Sequence, residues 1–526
     1  MEQNRLIGNI TKHKKIGFTV FIFAVLLLGR YRSKRQKLSN SKDKRNNDQE
    51  ISFAPNTLPL LGNAYDLCKD PDGFYKRAIE ENGPVFKIRA PGIGTVIVVT
   101  SIPLITEVLK APLNSLSFFD AQQRLFPFSR VTDISYGHKY TLNIPLYKEY
   151  SIVNYTLRKN LKAQQMDLFE KPIQLGFQQG IQNQFHDLKV AGDTKVVDNT
   201  LYFMMNFIAN VSCKSLAGDR AGSNPEFIDA TVQYADKVVK TGLLLKLLPD
   251  WLGNLSVKYI FSVEDQIDTM MRIMIPEIQQ ARYKLDKGES NYEHNIGTAL
   301  LDHGHLGSNE NPLDPSQVSF IIKGIFLVSI TAVSTFLTHC IYTLATNSQL
   351  VTDLRQEVGQ VNNEIALSKL RDMPLLNSFI KEVLRYKQDH IGLSHAARRD
   401  FQLSSGHIIP KDSIVMCALN SAHLYPPKKT DMYCKTPLDE FDPYRYKDQL
   451  CDPVACDANY IPFGLGPHIC PGKQFAGEIM RYIIAQFVVM FDIQLMKGEE
   501  EIKDVDIMGI FKTPSQKPLK FTYRQN

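Results

Sequence analysis

Phe463-Gly464-Leu465-Gly466-Pro467-His468-Ile469-Cys470-Pro471-Gly472 is the most informative stretch of this chain of 526 residues. Glycines on both sides of one cysteine predict a backbone wrapped closely around its sulfur, because glycine turns freely and allows close approach. Pro471 has no N–H to offer, but the amides of Gly472 and the residues after it can point at the sulfur. A helix is predicted directly behind, over Lys473–Phe491. Cys470 then sits at a helix N-terminus, where the positive end of the dipole favours a thiolate. Such a thiolate could be a nucleophile or an iron ligand, and the bland alternative is a structural cysteine in a turn. Gly464-Leu465-Gly466 is no dinucleotide fingerprint, since no third glycine follows at the required spacing and no βαβ unit surrounds it.

Working outward, Glu382-Val383-Leu384-Arg385 places an acid and a base three apart on one helix face. Such a pair is usually a surface ion pair of little worth. Phe441-Asp442-Pro443-Tyr444-Arg445-Tyr446 adds a further arginine, 18 residues ahead of Phe463. Each segment is weak alone, but their order and spacing together are informative.

Residues 150–390 read as mostly helical, with apolar residues at three- and four-residue intervals. One helix, predicted over Ser316–Thr346 behind Asn311-Pro312-Leu313-Asp314-Pro315, is apolar almost all round. That pattern belongs in a large core or in a membrane, and its Lys323, Ser329, Thr331, Ser334, Thr335 and Thr338 favour the core. Two strands are predicted over Val85–Arg89 and Thr95–Thr100 around Pro91-Gly92, and residues 55–63 read as extended. No repeat and no second linker interrupts residues 51–526, so the body is expected to be one large, mostly α domain with small β-sheets.

Residues 1–50 hold 12 Lys/Arg against 4 Asp/Glu, and the remaining 476 hold 49 against 51, so the basic excess belongs to the N-terminal arm. A body without that excess argues against nucleic acid as a partner. The arm divides into a basic flank (1–15), a single apolar anchor helix (16–30) and a basic polar linker (31–50). Its uncharged core, Ile16–Gly29, is short for a bilayer, but Lys14, Lys15, Arg30 and Arg32 can snorkel. Eight Lys/Arg follow the apolar run over Arg30–Arg45 and four precede it, so the body is expected to face the cytosol. Eight scattered cysteines fit a reducing compartment rather than a disulfide scaffold.

Taken together, FxxGxHxCxG at 463–472, ExxR at 382–385 and the FDPYRY segment at 441–446 resemble the cytochrome P450 superfamily of haem-thiolate enzymes. The resemblance covers residues 51–526, and the C-terminal segments Ile507–Pro514 and Lys520–Arg524 are similar to those of the sterol and bile-acid hydroxylase and prostacyclin synthase branch, which many fungal enzymes also resemble. It implies haem b as cofactor, with Cys470 as axial iron ligand and Phe463, Gly464, Gly466, His468 and Gly472 around it. It also implies a buried structural triad of Glu382, Arg385 and Arg445. A separate NADPH–cytochrome P450 reductase would supply electrons, and the endoplasmic reticulum membrane would hold the anchor. The implied reaction is monooxygenation of an apolar small molecule: a steroid, a terpenoid or another lipid-like or secondary metabolite.

The chain departs from the family pattern in two places. Propionate-binding arginines of the family are matched by His468 and, counting back from Asp400, by His395, with Arg398 and Arg399 close by. More seriously, the acid–alcohol pair that delivers protons in most family monooxygenases aligns with Thr331-Ala332 or Ala332-Val333, and no Asp or Glu occurs between Gln317 and Gln349. Thr331 and Ser334 are the remaining catalytic candidates on that helix, with Thr335 or an ordered water beside them. The alternative is an isomerase or dehydratase that acts on an already oxidised substrate without activating dioxygen.

Overall fold

The computed structural model describes residues 50–58, 61–136, 146–289, 295–303, 313–359, 365–425, 436–496 and 502–524. The predicted flank, the anchor and all of the linker except Glu50 lie outside the described residues, as do Asn311 and Pro312.

The apolar helix runs over Pro315–Thr346. Its start is specified locally. The Asp314 carboxylate accepts from the amides of Ser316 and Gln317 at 2.8 and 3.0 Å, and Gln317 Oε1 accepts from the Asp314 amide at 3.0 Å. This is a capping box with proline at the first helical position, where a missing N–H costs nothing. By length and mean hydropathy the helix could cross a membrane. It instead packs among the helices Thr200–Ala217, Pro225–Leu247, Glu264–Asp286 and Lys473–Met490. Its one lysine, Lys323, is buried with Nζ 3.7 Å from the centre of the Phe320 ring and 5.3 Å from that of Tyr234. Ring faces of this kind stabilise a desolvated ammonium.

The main sheet has five strands, in the spatial order Val85–Ala90, Gly94–Val99, Ile414–Cys417, Gly392–Ala397 and Leu116–Ser117. The first two form the hairpin expected from the sequence, paired from Val85↔Val99 to Ala90↔Gly94. Alternate side chains feed opposite faces, as a period of two requires. Ile97 and Val99 join Val415 and Cys417 in one apolar cluster, while Val96 and Val98 join Met416 in another. A register shift between Gly392 and His395 marks a bulge in the fourth strand. Bulges re-aim side chains, and here the affected residue is His395.

At the C-terminus, Leu519–Tyr523 pairs with both Thr194–Val197 and Phe491–Leu495, and a separate hairpin joins Val505–Ile507 to Phe511–Thr513. The helix Lys473–Met490 is held by Phe487, whose ring meets those of Phe207 and Phe491 edge-on at 5.2 and 5.5 Å. This fixes the element that carries the cysteine loop at its N-terminal end.

Candidate functional site

The cysteine loop closes on itself. The Cys470 amide donates to the Phe463 carbonyl at 2.8 Å, and one turn of 3-10 helix, Gly466–His468, lies between them. Gly464 and Gly466 have φ of +75° and +63°, a region that costs other residues strain. Gly466 is also pressed against its neighbours, since a Cβ there would meet the Leu109 carbonyl oxygen at 2.9 Å. Gly466→Ala should therefore destabilise the folded protein by about 1–3 kcal/mol, readable as a lowered melting temperature and reduced haem retention. Gly472 differs: a Cβ there meets nothing within 4 Å, so no close packing demands glycine at this position.

Burial pushes the Cys470 thiol above its ordinary value, while the amides of Gly472 and Lys473 and the charges of Lys473 and Arg158 pull it down. The helix terminus expected to favour the thiolate is thus present but outweighed by desolvation. A metal cation bound to the sulfur would reverse that balance, because a coordinating thiol is deprotonated outright.

Behind the loop stands the predicted triad, on the helix Pro374–Tyr386. The first free amides of this helix, those of Leu375 and Leu376, donate to the Glu357 carboxylate at 2.8 Å each. Arg385 grips Glu382 with two parallel bonds of 2.8 Å, and Arg445 Nε lies 3.2 Å from each Glu382 oxygen. The Asp442 amide adds a further bond at 2.9 Å. The three side chains are 3% exposed or less, so the surface ion pair that ExxR usually denotes is here a core element. The remaining guanidinium N–H groups hold carbonyls: Arg385 those of His423, Leu438 and Glu440, and Arg445 those of Thr436, Pro437 and Glu440. His423 completes the link to the cysteine loop, because its Nε2 accepts from the Ile461 amide at 3.0 Å.

His395 and His468 come together although 73 positions separate them in the chain. Their ring centres are 4.6 Å apart, with Phe118 beside both. His395 Nδ1 lies 2.8 Å from the Leu393 carbonyl and His468 Nε2 lies 3.1 Å from that of Leu116. Each neutral ring carries its proton toward a carbonyl and turns a bare nitrogen inward, since His395 Nε2 and His468 Nδ1 have no partner. Two such nitrogens side by side fit carboxylates that arrive with a proton, as the propionates of a haem would. Arg398 and Arg399, the other cations expected for this task, are engaged elsewhere. Arg398 clasps Asp120 at 2.7 and 3.0 Å, and Arg399 meets Ser115 Oγ at 2.6 and 3.0 Å.

Burial, and then His468, depress His395 to about 3, and burial and the Arg385 charge depress His423 to about 3 as well. Both rings stay neutral in the folded protein while the unfolded chain takes up protons below the usual histidine value near 6.5. The unfolded state then binds more protons, so stability falls as pH drops from about 6.5 toward 3. Acid titration of the haem-free protein should show this loss, and His423→Asn should make it shallower.

The central helix supplies the opposite wall candidate. Between Pro315 and Ala345 its only exposed residues are Gly324, Val328 and Ala332, spaced by four and so on one stripe. Val328 is 63% exposed, which is anomalous for a valine in an otherwise buried helix. Thr331 is half-buried at the edge of this stripe and Thr335 is half-buried within its arc. Ser334, the other candidate on this helix, is fully buried and about 120° of arc from Val328, so it does not share that side. All three hydroxyls donate to helix carbonyls: Thr331 to Leu327 at 2.7 Å, Ser334 to Thr331 at 3.1 Å and Thr335 to Thr331 at 2.8 Å.

The sequence reading missed Arg158. It lies on the helix Leu146–Asn160 and donates to the carbonyls of Pro467 and Ile469 at 2.6 and 3.4 Å. Its Nε also bonds Asn154 Oδ1 at 2.9 Å one turn back, but no local pattern announces the link to the loop, whose carbonyls are 309 and 311 positions away.

The family model described as Cytochrome P450 matches residues 54–521. The chain is similar to "Cytochrome P450 monooxygenase janQ" of Penicillium janthinellum, with 29% identity over 311 residues covering 56% of this chain and 59% of the relative. It is 25% identical to "Cytochrome P450 monooxygenase AN1598" of Emericella nidulans over 57% of this chain and 58% of that protein. A longer match, 24% identical over 469 residues, covers 85% of this chain and 88% of "Cytochrome P450 monooxygenase 151" of Postia placenta. The matches to the first two relatives thus span under two thirds of their lengths. The family match takes in every residue of the site described above, from Leu109 to Lys473, and the chain belongs to the cytochrome P450 family.

Proposed function

We propose that this protein is a haem-thiolate monooxygenase that oxidises an apolar small molecule, with electrons from NADPH delivered by a separate reductase. The observation that carries the reading is Cys470 in a closed loop at the start of the helix Lys473–Met490, in a chain of this family. Members of the family bind haem b through a cysteine thiolate, and the residues here fit that group. Cys470 would hold the iron. His395 and His468 would take the propionates, with Arg158 steadying the loop. Phe463 and the glycines at 464 and 466 would shape the loop around the sulfur. The bound haem supplies the dioxygen chemistry. The stripe of Gly324, Val328 and Ala332 offers an apolar surface for the substrate, and Thr331 would accept a hydrogen bond at its edge.

Steroids, terpenoids and related secondary metabolites suit such a wall. The N-terminal arm would hold the body on the cytosolic side of the endoplasmic reticulum membrane. Lys473, a candidate for meeting the reductase, is half-buried with Nζ on the Val454 carbonyl at 2.8 Å, which leaves Lys447 the freer cation nearby.

One observation favours a second reading, that of an isomerase or dehydratase. Ala332 stands exposed on the stripe where most oxygenases of the family place a proton-delivering pair. Mass spectrometry of the metabolites of a host with and without the gene separates the two. An accumulating precursor lighter than the lost product by whole oxygen atoms supports the oxygenase. Equal masses, or a difference of one water, overturn it in favour of the rearranging enzyme.

A further inference from the structure

The central helix has no carboxylate, yet its accessible side ends on a buried histidine. At about 100° per residue, Gly324, Val328 and Ala332 fall within about 80° of arc, and Thr335 and His339 fall inside the same arc. His339 is 2% exposed. Its Nδ1 lies 3.3 Å from Asp504 Oδ1, and Asp504 Oδ2 accepts from Lys387 Nζ at 2.8 Å. Asp504 and Lys387 are themselves 18% and 23% exposed, so the line of groups reaches solvent. At the other end His339 Nε2 is buried with no partner. Thr335 lies one turn back on the same arc, the side toward which helical side chains lean. Thr335 Oγ1 donates to the Thr331 carbonyl at 2.8 Å and keeps its lone pairs for an incoming donor.

The charged groups around His339 come from three neighbours: Asp504 ahead of the C-terminal hairpin, Lys387 at the end of the helix Pro374–Tyr386, and Lys512 in the hairpin. Burial lowers the histidine, and the Asp504 contact only partly offsets this, so the ring is neutral. Asp504 is a carboxylate: burial would raise it, but His339 and Lys387 together hold it well below the usual range. Nδ1–H therefore points at Asp504, and Nε2 is an acceptor with nothing to accept. A buried polar atom in that state calls for a water.

We propose that Asp504 and His339 hold an ordered water against Thr335, and that this water is the last polar stop on the way from solvent to the stripe, standing in for the carboxylate the helix lacks. The inference rests on the oxygenase reading above. His339 and Asp504 are positioning residues: they touch neither substrate nor reacting atoms, and they fix where the water sits.

The first test is nitrogen NMR of the histidine-labelled protein. His339 should be the Nδ1–H tautomer in the wild type and lose that preference in Asp504→Leu. The second uses the holoenzyme with reductase and NADPH, taking the organic extract of a host strain lacking the gene as substrate source. His339→Phe should keep the wild-type binding spectrum. Its product per NADPH should fall about tenfold, less than the loss expected for a group that transfers the proton itself, with hydrogen peroxide making up the difference. His339→Gln should recover most of the loss, because its amide oxygen can accept from the same water. The proposal is overturned if the wild-type ring is the Nε2–H tautomer, or if His339→Phe stays within about twofold of wild type. A wild type that makes no NADPH-dependent product brings down the oxygenase reading and this inference with it. A well-coupled wild type beside an indifferent His339→Phe brings down this inference alone.

Discussion

Cys470→Ser should abolish the thiolate-type absorbance of the reduced carbon-monoxide complex completely. A serine hydroxyl does not ionise under conditions where a metal-bound thiol does, so no anionic ligand would remain to push electron density onto the iron. Turnover should fall to background for the same reason. Cys456 is the informative control. It lies close enough to Cys470 for the two to interact electrostatically, but its sulfur is directed at the Val454 carbonyl, 3.8 Å away. Burial leads in pushing its thiol up, as it does for Cys470, so what separates the two is position: Cys456 lies outside the closed loop that ends at Cys470. Cys456→Ser should leave the band intact. Survival of the band in Cys470→Ser, or its loss in Cys456→Ser, would move the ligand to the wrong sulfur and sink the assignment.

Glu382→Ala should be the most damaging single change to the fold. It leaves the buried guanidiniums of Arg385 and Arg445 without their counter-charge, a loss of about 3–5 kcal/mol. Whole-protein stabilities are only about 5–15 kcal/mol, so little folded protein should survive warming. Apolar replacement of all three residues would remove the unpaired charge and in many proteins restores stability. Here it should not, because the two arginines also hold five backbone carbonyls, four of them in the irregular segment Thr436–Glu440. Thermal unfolding with haem content measured alongside decides the matter. A triple variant as stable as wild type would show that the triad contributes charge balance alone, and a Glu382→Ala protein with unchanged melting would remove its structural role altogether.

Much of this protein was legible in the chain because the deciding features are local. A glycine pair about a cysteine, an acid three residues before an arginine, and an uncharged helical run each carry their own physical reason within ten or so residues. The two-strand hairpin and the capping box at Asp314 are legible for the same reason. What stayed hidden depends on residues far apart in sequence. From the sequence His395 was one choice beside Arg398 and Arg399, and only the fold shows that both guanidiniums are already held. Arg158 could not be picked out from the chain, since what ties it to the cysteine loop is a pair of backbone carbonyls far away in sequence.

The family, the cysteine proposed as ligand and the acid–base pair at the centre of the triad could be read from the chain alone, because those follow from short spacings that one chemistry requires. Only the tertiary structure decided which side of the central helix is open. Helical periodicity assigns Ser334 and Thr335 to different sides, but burial by neighbouring elements is what closes one side and leaves the other accessible. The same packing set His339 against Asp504, 165 positions away, and left its second nitrogen without a partner. A contact across that distance costs chain entropy that only the assembled core offsets, so no local pattern could record it.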